Sequence, residues 1–233
     1  MRMPTLETLL RRTLPDARIE VQALPGCPEI RLGLINADFP VGPLPAEVMQ
    51  AVIARPAYWA FCWGSGLALA KLLLEEPDWV RGRRVVDLGP GSGVVAIAAA
   101  LAGATRVTAC DNDPDALAAT AANAALNGVE LDLVDDLASV APEQDLLLMA
   151  DVLYDRSNLP LLERAAALAT ETLVADSRIA MLPDPAYEQI GHREALTFPN
   201  LGEFDEFRTV RFFYARHSPA RHSPARHSEA RRR

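Results

Sequence analysis

Residues 85–93 read Val-Val-Asp-Leu-Gly-Pro-Gly-Ser-Gly, so an apolar run closes on a carboxylate, Asp87, and the chain then turns on Gly89, Gly91 and Gly93. An apolar helix-forming run follows at 94–102, and the unpaired N–H groups of its first turn can face an anion. Glycine lets the backbone approach a ligand closely. Asp111 ends the next apolar run, 106–110, where a carboxylate can accept both hydroxyls of a ribose. Ligands of sheets built this way lie beyond the carboxyl ends of the strands. The pattern therefore predicts a cofactor that contains a nucleoside.

Two cofactor classes compete for the loop. The dinucleotide fingerprint fits Gly91-Ser92-Gly93-Val94-Val95-Ala96, with Asp111 at about the expected distance. That register leaves Asp87 and Gly89 without a role and puts eighty residues ahead of a motif that often opens its domain. The register D-x-G-x-G-x-G uses all of them: the anion becomes one amino-acid carboxylate, and Asp87 balances an ammonium group. This second pattern is the signature of S-adenosylmethionine.

The elements that must carry the loop follow from periodicity. Residues 4–14 read as a helix, and 18–24 and 29–35 as strands either side of a turn at Pro25–Pro28, with Ile30, Leu32 and Leu34 on one face. A helix is predicted at 45–54, and another runs to Glu76 after the aromatic stretch 58–63. From Arg84 onward the spacing alternates. Strands at 84–88, 106–110, 129–134, 145–150 and 172–175 are interleaved with helices at 94–102, 159–169 and 185–193. One further helix has Asp113 as N-cap, Pro114 at its first position and Gly128 as its stop. This rhythm predicts a doubly wound α/β domain with a parallel sheet. Segments 194–198 and 208–214, joined by a short loop, predict an antiparallel hairpin at the sheet edge. Residues 1–80 form an N-terminal extension or lid, 81–215 the cofactor-binding core and 216–233 a basic tail.

Composition narrows the function classes. Half of the 233 residues are hydrophobic, enough for a sizeable core, yet no apolar run approaches the roughly 18 residues of a membrane helix. Glu7, Arg11 and Arg12 break what would be a signal peptide, and Glu7 spoils a mitochondrial leader. Cys27, Cys62 and Cys110 are an odd set without CxxC or Cys/His spacing, which argues against disulfides and zinc and predicts a reducing, cytoplasmic setting. The net charge of −8 divides into +5 over residues 216–233 and −13 over the rest. So acidic a body does not seek nucleic-acid phosphates, but it can attract a basic protein surface. The tail repeats Arg-His-Ser-Pro-Ala and is predicted to be disordered, read as a solvated appendage rather than a docking arm. It holds three of the four histidines, which leaves His192 and little basis for histidine-driven hydrolysis.

At this point the chain resembles the class I, seven-stranded S-adenosylmethionine-dependent methyltransferases. Three segments narrow the resemblance to the group that includes the electron-transfer-flavoprotein β-subunit lysine methyltransferase. Tyr58-Trp59-Ala60-Phe61-Cys62-Trp63-Gly64-Ser65-Gly66 and the residues to Ala70 are similar to that group's segment before the first core helix. Ala150-Asp151-Val152-Leu153-Tyr154-Asp155 is similar to its D-x-F/L-Y motif. Ala175-Asp176-Ser177-Arg178 falls where bacterial relatives have Gly-Asp-Pro-Gly-Arg, departing at Ala175, Ser177 and Ile179. The resemblance covers about residues 28–214 and implies a mostly parallel seven-stranded sheet with an antiparallel last strand.

It also implies roles. Asp87, Gly89, Gly91 and Gly93 would hold the methionine part of the cofactor and Asp111 the ribose. Asp136, or its neighbour Asp135, would accept from the adenine amino group. Trp63 would line the pocket, whereas Tyr58, Trp59 and Phe61 read as core aromatics; Asn123 and Asn127 have no assignable role. Asp151 and Tyr154 are the substrate-side candidates: the carboxylate orients an amine and steadies its charge, and the ring shapes an apolar slot. Asp155 reads as a surface acid, and Lys71, the one lysine, makes self-methylation a poor account of any activity. The leading expectation is N-methylation of a lysine on a protein with a basic face. A small-molecule N-methyltransferase of the nicotinamide type, a non-catalytic cofactor-binding interaction protein and a nicotinamide-dependent redox enzyme are the alternatives.

Overall fold

The computed structural model describes residues 3–202 and 205–217. The chain opens with α1 (Met3–Leu10), the hairpin strands β1 (Ile19–Leu24) and β2 (Cys27–Ile35), and α2 (Ala46–Ala54), followed by α3 (Gly64–Glu75). Then come β3 (Arg84–Leu88), α4 (Val94–Leu101), β4 (Arg106–Cys110), α5 (Pro114–Leu126), β5 (Asp132–Val134) and β6 (Gln144–Ala150). The last elements are α6 (Leu161–Leu168), β7 (Ala169–Asp176), β8 (Glu188–Glu194) and β9 (Thr209–Arg216). Seven strands form one sheet in the order β5-β4-β3-β6-β7-β9-β8. The pairs from β5 to β7 are parallel, and β9 inserts antiparallel between β7 and β8. The order reverses between β3 and β6, and β3 feeds the glycine loop there.

The central strands are apolar on both faces because both are covered. Val85 and Leu148 join one core with Leu69 and Ile97 of α3 and α4, while Val86 and Met149 join the opposite core with Leu162 of α6. α4 is apolar all round because it is buried on all sides through Val94–Ala99. In α5, Asp113 accepts the Asp115 N–H at 2.9 Å and Pro114 takes the first position, as the sequence predicts. At its other end Gly128 adopts φ +66° while the Gly128 and Val129 N–H groups bond the carbonyls of Ala125 and Ala124, a Schellman closure. That closure explains why β5 begins only at Asp132 rather than at residue 129.

Two further expectations are corrected. Residues 185–193 are not a helix. Glu188–Glu194 is the edge strand β8, mostly exposed, with only Gly191 and Arg193 half-buried, and with an irregularity in its pairing to β9 between Gln189 and Gly191. Pairing with β9 takes up this segment's backbone groups, and the edge position accounts for the polar sequence. Of the segment predicted as strand 194–198, Glu194 ends β8 opposite Thr209 and the Ala195 N–H still bonds the Arg208 carbonyl at 2.9 Å, so the expected antiparallel pairing is present with earlier bounds. The rest leaves the sheet, and Phe198 exchanges both backbone hydrogen bonds with Cys62 at 2.7 and 2.8 Å. Residues 195–208 thus form a long connection, not a short loop.

The N-terminal segment shares its core with the sheet. Ile30, Leu32 and Leu34 of β2 pack with Val85 and Ile97, and Leu6 and Leu10 of α1 pack with Ala119 and Ala122 of α5. Asn123 and Asn127, without a role in the sequence, clamp this segment to α5. Gly33 N–H donates to Asn123 Oδ1 at 2.8 Å, and Asn127 both accepts from Arg31 N–H and donates to its carbonyl. Asn123 Nδ2 also donates to the carbonyl of Ser92, inside the glycine loop, at 2.8 Å. The tail predicted to be disordered from residue 216 starts later than expected: β9 runs to Arg216, whose guanidinium binds Glu171, and His217 contacts Thr172 at 2.9 Å. The predicted disorder of the remaining tail, 218–233, lies outside the described residues. Among those residues no helix is long and apolar enough to cross a membrane.

Candidate cofactor and acceptor pocket

A cavity of about 450 Å³ opens beyond the carboxyl ends of β3, β4 and β6, within the size range of small-molecule sites. Gly89, Gly91 and Asp111 form one wall; Asp151, Val152 and Tyr154 form another; Tyr58, Trp59 and Trp63 close it from the N-terminal side.

Gly89 sits at φ +75°, and a Cβ there would lie 2.8 Å from Val152 Cγ2. Glycine is required by both backbone and space. Gly91 faces open space on the cavity side. Gly93 is different: at φ +85° it caps α4, and a Cβ would meet Thr120 Cα at 3.1 Å. Its small size serves the packing of the loop on α5, and it is not part of the cavity wall.

Asp87 is buried beneath the loop and accepts the Ala96 N–H of α4 at 2.9 Å. Burial raises its pKa to about 7; the Ala96 N–H opposes the shift and the charge of Asp111 adds to it. Asp111 accepts the Asp113 N–H at 3.0 Å and lies 3.5 Å from the Gly91 N–H. Burial raises its pKa too, against those backbone donors. Asp136 goes elsewhere. It caps the turn Leu137–Ser139 through the Ala138 N–H at 3.0 Å, approaches Arg164 at 3.4 Å, and is exposed. The Ala138 N–H, with Arg164, holds its pKa below the ordinary value. Asp135 is exposed as well, and neither acid belongs to the cavity wall.

Asp151 stands at the end of β6 with φ +52°. Its Oδ1 accepts the Ser65 hydroxyl at 2.6 Å and its Oδ2 the Ser65 backbone N–H at 3.1 Å, at the start of α3. Burial raises its pKa to about 6, a rise that Ser65 and Arg178 oppose and Asp176 augments. Tyr154 is half exposed at the mouth, its ring 6.4 Å from that of Tyr58 in an edge contact. Burial, with the Tyr58 phenol, pushes its own phenol to about 12. Trp63 donates Nε1–H to the Tyr58 carbonyl at 2.8 Å and stands edge-on to the Tyr58 ring at 5.8 Å.

Sequence reasoning missed several wall residues. Tyr58 is half exposed at the cavity rather than a core aromatic, and Trp59 is buried yet lines the cavity. Phe61 lines a neighbouring apolar groove with Leu44 and Val52. Asn112, Asn158 and Arg178 also line the cavity. Asn112 and Arg178 follow strand ends, which is the signal that could have found them. The Arg178 guanidinium stacks over Phe207 at 4.5 Å. With Asp111, Asp113 and Asp151 against Arg178, the wall favours a cation.

Solved proteins superpose on this architecture. Ribosomal protein L11 methylase from Lactobacillus delbrueckii subsp. bulgaricus superposes with a TM-score of 0.50 at 24% identity, over 64% of this chain and 78% of that one. The fold is that of a class I methyltransferase. Magnesium protoporphyrin IX methyltransferase from Synechocystis, solved with bound S-adenosylmethionine, shares this class I fold at a TM-score of 0.50 and 18% identity, over 76% and 87% of the two chains. In sequence, residues 69–168 match the family model of ribosomal protein L11 methyltransferase (PrmA). The electron transfer flavoprotein beta subunit lysine methyltransferase of Danio rerio is 39% identical over 146 residues, which is 59% of this chain and 57% of that protein. The chain thus spans little more than half the length of this relative.

Proposed function

We propose that this chain is an S-adenosylmethionine-dependent N-methyltransferase acting on a protein lysine. The observation that carries the reading is the position of Asp151: a half-buried carboxylate fixed at a helix N-terminus, lining the same cavity as Gly89, Gly91 and Asp111. The sequence relative named for the electron transfer flavoprotein β subunit supports that subunit as acceptor, and the acidic body favours a partner with a basic face.

The residues present fit the cofactor. Asp87 and the backbone at Gly89 and Gly91 would hold its amino-acid end, Asp111 the ribose hydroxyls, and Trp63 and Asn112 the sides of the pocket. Gly93 contributes by seating the loop on α5. Asp136 caps its own turn outside the cavity wall, so an adenine contact is not assigned to it. When bound, the cofactor supplies a methyl group already activated by its sulfonium, so the protein's task is alignment and exclusion of water. A lysine arrives as an ammonium with a reference pKa of about 10.4. The aromatic mouth of Tyr58 and Tyr154 desolvates it, which favours loss of its proton to solvent, while Asp151 orients the nitrogen and stabilises the charge that reappears on methylation.

The test is transfer of labelled methyl groups to purified electron transfer flavoprotein β subunit, with a proteome extract in parallel. Label in a protein band supports the reading; label confined to small molecules moves the acceptor to an amine metabolite. Asp151→Ala should keep its affinity for S-adenosylhomocysteine and lose transfer, and full transfer by that variant would remove the assigned role.

A further inference from the structure

The acid assigned to the acceptor is itself held by a residue that takes no part in the cavity wall. Ser65, the second residue of α3, is fully buried. It meets both carboxylate oxygens of Asp151, one with its hydroxyl at 2.6 Å and the other with its backbone N–H at 3.1 Å. The Asp151 N–H donates to the Ala175 carbonyl at 3.1 Å, so the residue is pinned at backbone and side chain. That pinning matters because Asp151 has φ +52°, a conformation an L residue keeps only when its surroundings over-determine it.

The electrostatic setting works against an ionised Asp151. From the end of β7, Asp176 is fully buried; its Oδ1 accepts the N–H groups of Arg178 and Ile179 at 2.7 and 2.9 Å, and its Oδ2 has no hydrogen-bond partner among the described residues. Its like charge disfavours ionisation of Asp151, and Arg178, from the segment after β7, partly offsets it. A buried carboxylate beside another can relieve the repulsion by turning away or by taking up a proton. The Ser65 hydroxyl opposes both, and the α3 N-terminus adds a favourable dipole. Losing the hydroxyl leaves the backbone donor in place.

We propose that Ser65 is a positioning residue whose hydroxyl aims the Asp151 carboxylate at the acceptor amine and keeps it ionised against Asp176. This rests on the acceptor role of Asp151 and adds the residue that sets its orientation and charge.

The experiment compares wild type with Ser65→Ala, which removes the hydroxyl, Ser65→Cys, a weak donor of similar size, and Ser65→Thr, which retains a hydroxyl. Carboxyl-carbon NMR of aspartate-labelled protein, with the resonance assigned by Asp151→Asn, reads the Asp151 midpoint without any acceptor. Methyl transfer to electron transfer flavoprotein β subunit is followed from pH 5.5 to 9. In Ser65→Ala and Ser65→Cys the midpoint should rise by about one pH unit, the tenfold that one hydrogen bond to a charged group is worth. The acid limb of kcat should rise with it, so kcat should fall by about twofold at pH 7 and by about eightfold at pH 5.5, while S-adenosylhomocysteine affinity changes less than about twofold. Ser65→Thr should restore both readouts. A midpoint that stays put in Ser65→Ala or Ser65→Cys overturns the role of Ser65 alone, even if kcat drops uniformly at all pH. Full transfer by Asp151→Asn overturns the reading of Asp151, and the role of Ser65 falls with it.

Discussion

Cofactor binding should expel a proton, and Asp87 should be its source. In the free protein burial holds the Asp87 carboxyl at about 7, about three units above an ordinary aspartate. The ammonium group of S-adenosylhomocysteine would cancel the cost of a charge at that position and return the carboxyl to an acidic range. At pH 7 about half of the free molecules carry the proton, so binding should release about half a proton; the figure is about 0.9 at pH 6 and about 0.1 at pH 8. Affinity should therefore weaken by about fivefold from pH 7 to pH 6, or about 1 kcal/mol, and approach tenfold per unit at lower pH. The sign follows from a group whose pKa is raised when free and lowered when bound. Titration calorimetry at pH 6, 7 and 8, in buffers of differing ionisation enthalpy, gives the proton number as a slope. Asp87→Asn should abolish the pH-7 release and bind more weakly. A flat slope at pH 7, or one unchanged in Asp87→Asn, refutes the reasoning.

The same acids predict how the ligand-free protein responds to pH. Asp87 and Asp151 have raised folded-state values, about 7 and about 6, so their contribution is full below the ordinary carboxylate range and lost as pH rises through those values. Calorimetric Tm should accordingly fall from pH 5.5 to 8, and Asp87→Asn should flatten that fall. Asn123→Ala deprives the buried Gly33 N–H and the Ser92 carbonyl of their partner and should cost about 2–3 kcal/mol in urea unfolding; a loss under about 0.5 kcal/mol would mean that water replaces the amide. Gly93→Ala combines a left-handed backbone with a 3.1 Å approach to Thr120 Cα and should cost about 2–4 kcal/mol. Wild-type stability in that variant would mean that α5 moves aside freely.

What could be read in the sequence was whatever is encoded locally. Asp113, Pro114 and Gly128 announce the ends of α5 because caps act on neighbouring residues. The loop from Asp87 to Gly93 is legible because the glycines and acid follow one another along the chain. β8 was misread because an edge strand carries polar side chains without a clear apolar period, and its partner β9 lies beyond a long connection. Ser65 and Asn123 were silent for another reason. Their partners are 86 and 90 residues away, and no local pattern marks a serine or asparagine for such a contact. Asp136 shows the converse: a strand-end acid that satisfies a nearby turn instead of facing the cavity.

One carboxamide has a consequence for how the molecule breathes. Asn123 gives its oxygen to the hairpin at Gly33 and its nitrogen to the loop at Ser92, so neither end can loosen without unsettling the other. Thermodynamic reciprocity then works in both directions: a ligand that quiets the loop should slow hydrogen exchange at the Gly33 amide, far from where it sits. By the same logic, a fragment cut down to the sheet and its flanking helices would lose half of what keeps its own nucleotide cradle in shape.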